Sequence, residues 1–308
     1  MNASIRIDNI SKSYGEVQAL KNINLDIKSG ELFGLIGPDG AGKTTLFRLL
    51  ATLLLPDEGS AKLCEIDSVS EYKKIRSFLG YMPGKFSLYQ DLSVIENLNF
   101  FATVFNTRIE DNMDMIRDIW VQIEPFKDRL AGQLSGGMKQ KLALCCALIH
   151  QPKILLLDEP TTGVDSVSRS EFWQMLKGLK ERGITIVVAT PYMDEANLCD
   201  RVALIQDGEV LQVNTPDEIV EQFEKELYAV KSKDNYQTLL DLREFKFTHS
   251  VFLFGQSLHY TDIQNESSVN ELKTYLENKG RLGIVIEKIK PSIEDCFMAL
   301  SSKSVEYE

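Results

Sequence analysis

Apolar residues along this chain follow several distinct rhythms. Between residues 4 and 33 they tend to recur at every second position, at Ile5 and Ile7 and again through Ala19-Leu20, Ile23, Leu25 and Ile27. A period of two predicts antiparallel strands. Elsewhere the apolar residues come in short unbroken runs: Leu32-Phe33-Gly34-Leu35-Ile36, Phe78 to Met82, Ile154 to Leu157 and Ile184 to Thr190. Such runs predict short strands buried on both faces, as in a parallel sheet. Helical spacing marks Leu46 to Leu50, Lys141 to His150 and Glu171 to Arg182. Ser93-Val94-Ile95-Glu96 reads as a capping box opening a helix with Leu98, Phe101, Ala102 and Phe105 on one face. Residues from about 93 to 130 therefore form a mostly helical insertion. Its aromatic cluster either docks a partner helix or covers a small core of its own. Pro56-Asp57-Glu58-Gly59-Ser60 reads as a turn.

The pattern changes after Asp207-Gly208-Glu209, a turn between short strands, and Thr215-Pro216-Asp217-Glu218, which opens a helix. Strands are expected at Leu227 to Lys231, Val251 to Phe254, Ser257 to Tyr260 and Leu282 to Ile289. Ser268 to Lys279 reads as a capped helix closed by Gly280, and Pro291-Ser292-Ile293-Glu294-Asp295 opens a last one with Ile293, Phe297 and Leu300 on one face.

Candidate chemistry gathers at the ends of the buried strands. Gly37-Pro38-Asp39-Gly40-Ala41-Gly42-Lys43-Thr44-Thr45 lies between a strand run and a helix run, the context a P-loop requires. Its glycines let backbone N–H groups curl around an anion, and the helix N-terminus adds partial positive charge. Lys43 would reach the outer phosphates of a nucleoside triphosphate, and the Thr44 hydroxyl would ligate Mg²⁺. Asp158-Glu159 ends the Ile154 run, where Asp158 would hold Mg²⁺ through water and Glu159 would polarise the attacking water. Ser135 is a natural helix N-cap, and Gly136 and Gly137 beside it let a ligand approach the helix start. Tyr14 falls at a turn between two alternating strands; its ring is either a stacking face for adenine or an ordinary sheet-edge tyrosine.

Composition narrows the partners. The 308 residues leave room for one large domain or two of ordinary size, and 44% apolar content supplies a core. A net charge of −11 argues against nucleic acid or anionic lipid as the main partner. Five cysteines without C-x-x-C spacing read as reduced structural thiols of a cytosolic protein. The polar first twenty or so residues show no apolar leader, and no run reaches about 18 apolar residues, so a soluble chain is expected.

These motifs, in this order over roughly residues 4 to 216, resemble the nucleotide-binding subunit of ABC transporters. The specific feature is Leu134-Ser135-Gly136-Gly137-Met138, similar to the family's signature, downstream of the Walker A loop at 37–45 and upstream of the Walker B strand ending at Asp158-Glu159. The resemblance implies an α/β fold: a P-loop ABC ATPase core with a mixed sheet, an antiparallel β subdomain and a helical subdomain, plus a small C-terminal α/β domain. The expected domains are 1–217, with the helical subdomain at about 93–150, and 218–308. It also implies that Tyr14 is the adenine-facing A-loop residue, that Asp165 belongs to the D-loop, and that ATP and Mg²⁺ are bound. Two subunits would pair head to tail, each ATP held by one Walker A loop and the other subunit's Ser135 and Gly137, with Glu159 as base. The tail, with its Pro-Ser-Ile-Glu-Asp helix start, resembles the drug-export and ABC-2-type subunits. The reading is a cytoplasmic ATPase subunit, peripheral at the inner face of the membrane, that drives an integral-membrane permease as a homodimer or heterodimer.

Two positions depart from the family pattern. Gly84 stands where the Q-loop glutamine is expected and Pro191 where the switch histidine is expected. Losing one preorganised donor to a transition state typically costs about 10²–10³ in rate. Slow catalysis, substitution by Lys85 or Tyr192, and pairing with a fuller partner all fit that loss. Two other classes stay open: a regulatory nucleotide-binding subunit that does not turn over, and a soluble ABC ATPase acting on ribosomes or DNA. The single cassette, the roughly ninety positions between Thr44 and Leu134, and the negative charge disfavour the last.

Overall fold

The structure, a computed structural model, describes residues 3–85, 87–263 and 269–305. The chain divides into two compact units, residues 1–216 and 217–308. The first runs β1 (Ala3–Tyr14), β2 (Val17–Lys28), β3 (Leu32–Ile36), α1 (Lys43–Leu50), β4 (Glu58–Leu63), β5 (Ile66–Asp67), α2 (Tyr72–Arg76) and β6 (Leu79–Met82). It continues with α3 (Val94–Val104), α4 (Ile109–Ile123), α5 (Gly136–Leu148), β7 (Ile154–Asp158), α6 (Ser166–Glu181), β8 (Thr185–Thr190), β9 (Arg201–Gln206) and β10 (Glu209–Asn214).

Two sheets form this unit. The alternating segments pair antiparallel in a four-stranded sheet of order β2-β1-β4-β5. The unbroken apolar runs build a six-stranded mixed sheet, β10-β9-β3-β8-β7-β6, in which only the β9–β10 pair is antiparallel. Strands β3, β7 and β8 are buried at every residue, which explains why their sequences do not alternate. One face of the central strands (Phe33 and Leu35, Ile154 and Leu156, Val187 and Ala189) joins α1 and the inward residues of β1 and β2 in a single core cluster. Phe47 of α1 is wholly buried in it; truncation to alanine there costs about 3–5 kcal/mol.

Strand register sets up the site. Ile36 lies beside Thr190, and Asp158 lies beside Ala189. The carboxyl ends of β3, β7 and β8 therefore reach one rim, where open α/β sheets bind ligands. The helical region carries the expected capping box, with Ser93 accepting from the Glu96 amide and Glu96 accepting from that of Ser93. Leu98 and Ala102 turn inward, whereas Phe101 and Phe105 are half-buried.

Some boundaries differ from the sequence expectation. Helix α5 starts at Gly136, as the Ser135 cap implies but ahead of the run expected from Lys141, and α6 starts at Ser166 rather than Glu171. Both first turns are rich in glycine or serine, residues of weak helix propensity, and are held by the caps Ser135 and Asp165. Residues Glu58–Ser60, inside the expected turn, already pair with β1 as the start of β4, and Gly59 takes φ +79° there.

The second unit holds α7 (Pro216–Glu221), β11 (Leu227–Lys231), α8 (Asn235–Glu244), β12 (Thr248–Phe254), β13 (Ser257–Asp262), α9 (Val269–Asn278), β14 (Val285–Ile289) and α10 (Ile293–Val305). Its antiparallel sheet has the order β12-β13-β11-β14, over a core that includes Val230, Leu242, Leu258, Tyr260 and Leu276. Gly283, at φ +67°, delays the last strand to Val285. Ser268, expected at the start of α9, lies outside the described residues. Asp295 accepts from the Ser292 amide at 2.8 Å and from His259 Nδ1 at 2.6 Å, tying the start of α10 to β13.

Candidate functional site: a phosphate loop and an acidic strand end

The loop after β3 is shaped by what lies against it. A Cβ on Gly37 would stand 2.1 Å from the Ile205 carbonyl oxygen, so the chain passes β9 with no room for a side chain. Gly42, with φ +100°, is the left-handed residue that turns the loop into α1, and a Cβ there would meet the Ala19 carbonyl at 2.5 Å. Pro38 accepts from the Ala41 amide at 3.2 Å, closing the turn. Leu46 N–H bonds the Gly42 carbonyl at 3.0 Å, and the amides before it in α1 have no earlier helical carbonyl to bond, as an anion site needs. Asp39 is exposed at the loop's outer edge, and Thr45 follows Thr44 in the first turn of α1.

Lys43 is 4% exposed, with Nζ donating to the carbonyls of Gly37 at 2.8 Å and Pro38 at 2.9 Å. Nζ also lies 4.0 Å from Glu159 Oε1. Burial lowers the Lys43 pKa, while the carboxylates of Glu159, Asp39 and Asp158 oppose that shift. A nearby anion would favour the charged ammonium further.

Asp158 is 2% exposed, and burial raises its pKa. Its Oδ1 accepts from the Thr44 hydroxyl at 3.2 Å. The two residues expected at Mg²⁺ thus meet from β7 and α1. A hydroxyl and a carboxylate are hard oxygen donors suited to Mg²⁺, which takes one or two protein ligands and completes its shell with water and phosphate oxygens. The residues present fit that ion, and no cluster of three or more acidic, His or Cys ligands is needed or found among the described residues.

Glu159 takes φ +50°, a left-handed conformation unusual for glutamate, and its amide donates to the Ala189 carbonyl at 2.8 Å. This turns its carboxylate off the strand axis toward Lys43, while Oε2 accepts from the Thr162 hydroxyl at 3.3 Å.

The two departures from the family pattern stand on this rim. A Cβ on Gly84 would lie 3.2 Å from the Asp158 carbonyl oxygen and 3.7 Å from its carboxyl carbon, so the absent side chain is one that would reach the metal-side carboxylate. Pro191 follows Thr190, whose carbonyl accepts from the Gly37 amide at 3.3 Å. Of the two residues expected to substitute, Lys85 is exposed. Tyr192 is fixed: its amide donates to Thr190 Oγ1 at 3.1 Å, and its ring lies under the Arg169 guanidinium at 4.5 Å.

The remaining expected residues occupy other places. Tyr14 pairs with Val17 at the tip of the β1–β2 hairpin and is 46% exposed. Ser135 Oγ accepts from the Met138 amide at 3.4 Å, and Ser135 and Gly136 are exposed. Gly137 is buried for a packing reason, since a Cβ would stand 2.8 Å from Ser168 Oγ. Asp165 caps α6, accepting from the amides of Val167 and Ser168 at 3.1 and 3.0 Å. Gly137 of α5 thus packs against Ser168 of α6, while Ser135 and Gly136 stay exposed.

Sequence reasoning missed a buried group beside this site. Glu195, fully buried, accepts at Oε1 from Thr161 Oγ1 at 2.7 Å, Arg169 Nε at 2.7 Å and Trp173 Nε1 at 3.0 Å. Partners up to 34 positions away leave no spacing signal in the chain. The five cysteines are unpaired, and among the described residues no helix is long and apolar enough to cross a membrane.

Comparison with known proteins bears on the family and the fold. Residues 20–162 match the family described as ABC transporter. The chain is 38% identical over 286 residues to the probable multidrug ABC transporter ATP-binding protein YbhF of Escherichia coli (strain K12), a match covering 92% of this chain and 49% of that protein. It therefore spans about half the length of that relative. To the Nod factor export ATP-binding protein I of Rhizobium sp. (strain N33) it is 31% identical over 306 residues, covering 98% of both chains. Among solved structures, a dimeric ATP-binding cassette in a post-hydrolysis state bound to ADP and Pi superposes with a TM-score of 0.62 at 32% identity, over 68% of this chain and 98% of that one. The cbiO1 structure from Clostridium perfringens, part of an ABC transporter complex, gives 0.64 at 29% identity, over 73% and 93%. The chain belongs to the ABC transporter family, and its first unit has the fold of that family's ATP-binding cassette.

Proposed function

We propose that this chain is the ATP-binding and ATP-hydrolysing subunit of an ABC-2-type exporter, bound at the cytoplasmic face of the membrane to a separate permease. The observation that carries the reading is the convergence of Lys43, Thr44, Asp158 and Glu159 at one rim: Thr44 and Asp158 in hydrogen-bond contact, Lys43 Nζ 4.0 Å from Glu159. The backbone of 37–45 would cradle the phosphates, Lys43 would neutralise them, and Tyr14 would face the adenine. Thr44 and Asp158 would hold Mg²⁺, which when bound screens phosphate charge. Glu159 would accept a proton from the attacking water. Ser135 and Gly136, exposed at the start of α5, with the buried Gly137 behind them and Asp165 beside them, would meet the ATP of a second subunit. Closure of the pair on ATP would then move the permease. Export is supported by the names of the similar proteins, multidrug and Nod factor export ATP-binding proteins.

A groove of about 580 Å³ suits the permease contact. It is walled by Leu88, Phe101, Val104 and Phe105 with Leu53 at its mouth, and runs from the strand end that leads into Gly84. A membrane partner seated there would touch both the helical insertion and the rim of the site.

Gly84 and Pro191 favour a second reading, in which turnover at this site is slow or depends on a fuller partner subunit. Steady-state ATP hydrolysis by the purified chain, with Lys43→Ala and Glu159→Gln as controls, separates the two. Turnover lost in both variants supports a self-sufficient pair; ATP binding without turnover supports the partner-dependent subunit. Co-purification with ribosomes instead of a membrane protein would overturn the transport reading altogether.

A further inference from the structure

We propose that Glu195 is a positioning residue for hydrolysis, holding the Glu159 loop through Thr161. The inference rests on the reading of Glu159 as the base.

The geometry is a short chain of contacts. Glu195 Oε1 receives three donors from two segments: Thr161 from the loop after Glu159, and Arg169 and Trp173 from α6. Arg169 continues to the same turn as Glu195, gripping both oxygens of Asp194 at 2.8 and 2.9 Å and covering the Tyr192 ring. Thr161 is 2% exposed, so its bond to Glu195 is shielded from water and is stronger than a surface one. Next to it, the Thr162 hydroxyl donates to Glu159 Oε2 at 3.3 Å, and its amide donates to the Glu159 carbonyl at 3.2 Å. Glu195 thus fixes Thr161, Thr161 fixes the turn, and the turn fixes the base.

The site needs such a device. Glu159 is held at a positive φ, a conformation that persists only where the surroundings over-determine it. With Gly84 and Pro191 contributing no side-chain donor, the orientation of Glu159 depends on Lys43, on the Ala189 carbonyl and on contacts from its own loop. A carboxyl group at Glu195 suits this anchoring role, because one buried oxygen collects a hydroxyl, a guanidinium and an indole N–H. Its Oε2 has no protein partner among the described residues, so all of the anchoring passes through Oε1.

The test compares Thr161→Val, which keeps shape and removes the hydroxyl, with Thr161→Ser, which keeps the hydroxyl. Two readouts are taken on the full chain. In steady-state hydrolysis, Thr161→Val should lower kcat about tenfold or more, as expected for a displaced catalytic group, with KM and equilibrium ATP affinity unchanged; Thr161→Ser should recover most of it. In hydrogen exchange, Thr161→Val should speed amide exchange about tenfold at residues 159–163 and 192–196 and leave α1 unchanged, a result independent of whether the chain turns over alone. Unchanged exchange at 159–163 overturns the proposal, as does a loss shared equally by kcat and ATP affinity. Glu159→Gln is run in parallel. Turnover surviving Glu159→Gln would sink the base assignment, whereas a loss there with wild-type behaviour in Thr161→Val would sink only the role of Glu195.

Discussion

The two halves of the site are built by different means. The phosphate loop is made of backbone and one buried lysine, and packing against Ile205 and Ala19 fixes its shape. The acidic half is made of side chains on three segments, β7, the loop after it and the turn after β8, joined by single hydrogen bonds. The loop keeps every element of its motif; the acidic half has Gly84 and Pro191 at two positions where the family pattern expects donors. Backbone sites change all at once or not at all, whereas side-chain sites lose members one at a time. On the proposed function, binding and turnover would therefore be separable properties of this chain.

The largest expected effect tests that separation directly. Glu159→Gln should lower turnover by about 10²–10⁴, the usual contribution of a general base, while equilibrium ATP binding stays within about twofold. Equal losses in binding and rate would merge the two halves. Next in size, Lys43→Ala removes charge-assisted contacts, each worth about 1.5–3 kcal/mol, so ATP affinity should fall about 10- to 100-fold. Titration with a fluorescent ATP analogue measures it. Gly37→Ala should weaken binding at least as much, because its methyl group has no space beside Ile205. An alanine variant that binds ATP normally would show that the loop is more pliable than its packing implies.

The halves also differ in how far the sequence disclosed them. The strand–loop–helix around residues 37–45 was legible because its parts are consecutive and its flanks, Leu32–Ile36 and Leu46–Leu50, follow periodicities that physics ties to strand and helix. The same holds for the pairing of β1 with β2 and for the capping box at Ser93. Where long-range contacts decide, the sequence was silent. Gly137 read as space for a ligand, but its first constraint is the Ser168 side chain across the helix interface. The cluster around Glu195 draws on Thr161, Arg169 and Trp173, none within 20 positions of it, and no local pattern announces a buried carboxylate.

A gain of function sharpens the comparison from the other side. Pro191→His places a donor next to Thr190, whose carbonyl already touches the first residue of the phosphate loop. One preorganised donor is worth up to about 10²–10³ in rate, and an imperfectly placed one recovers part of this, so kcat should rise about tenfold with ATP affinity unchanged. Gly84→Gln should give a smaller gain, because its Cβ must settle 3.2 Å from the Asp158 carbonyl oxygen. No gain from either variant, alone or together, would mean that other groups already supply what these positions lack.

The smallest effect concerns what supports the acidic half from behind. His150, just past the end of α5, stacks on Phe105 at 3.7 Å and donates through Nε2 to the Leu79 carbonyl at 3.0 Å. That bond ties α5 to β6, the strand leading to Gly84. Its Nδ1 is buried without a partner among the described residues, so protonation would add a donor with nothing to receive it. Burial accordingly lowers the His150 pKa from the ordinary 6.5. The unfolded chain therefore takes up the proton first on acidification, and stability rises with pH across the interval between the folded and unfolded values. The contribution is fully present above about pH 6.5 and is lost as the pH falls toward the folded value. Urea midpoints at about pH 7.5 and about pH 5.5 should differ more in the parent chain than in His150→Gln, whose amide keeps the bond to Leu79 without titrating. If acid softens the parent and the variant alike, the pH sensitivity comes from other groups. A slope confined to the parent would show that the thinned half of the site leans on one neutral imidazole, a dependence with no counterpart in the phosphate loop.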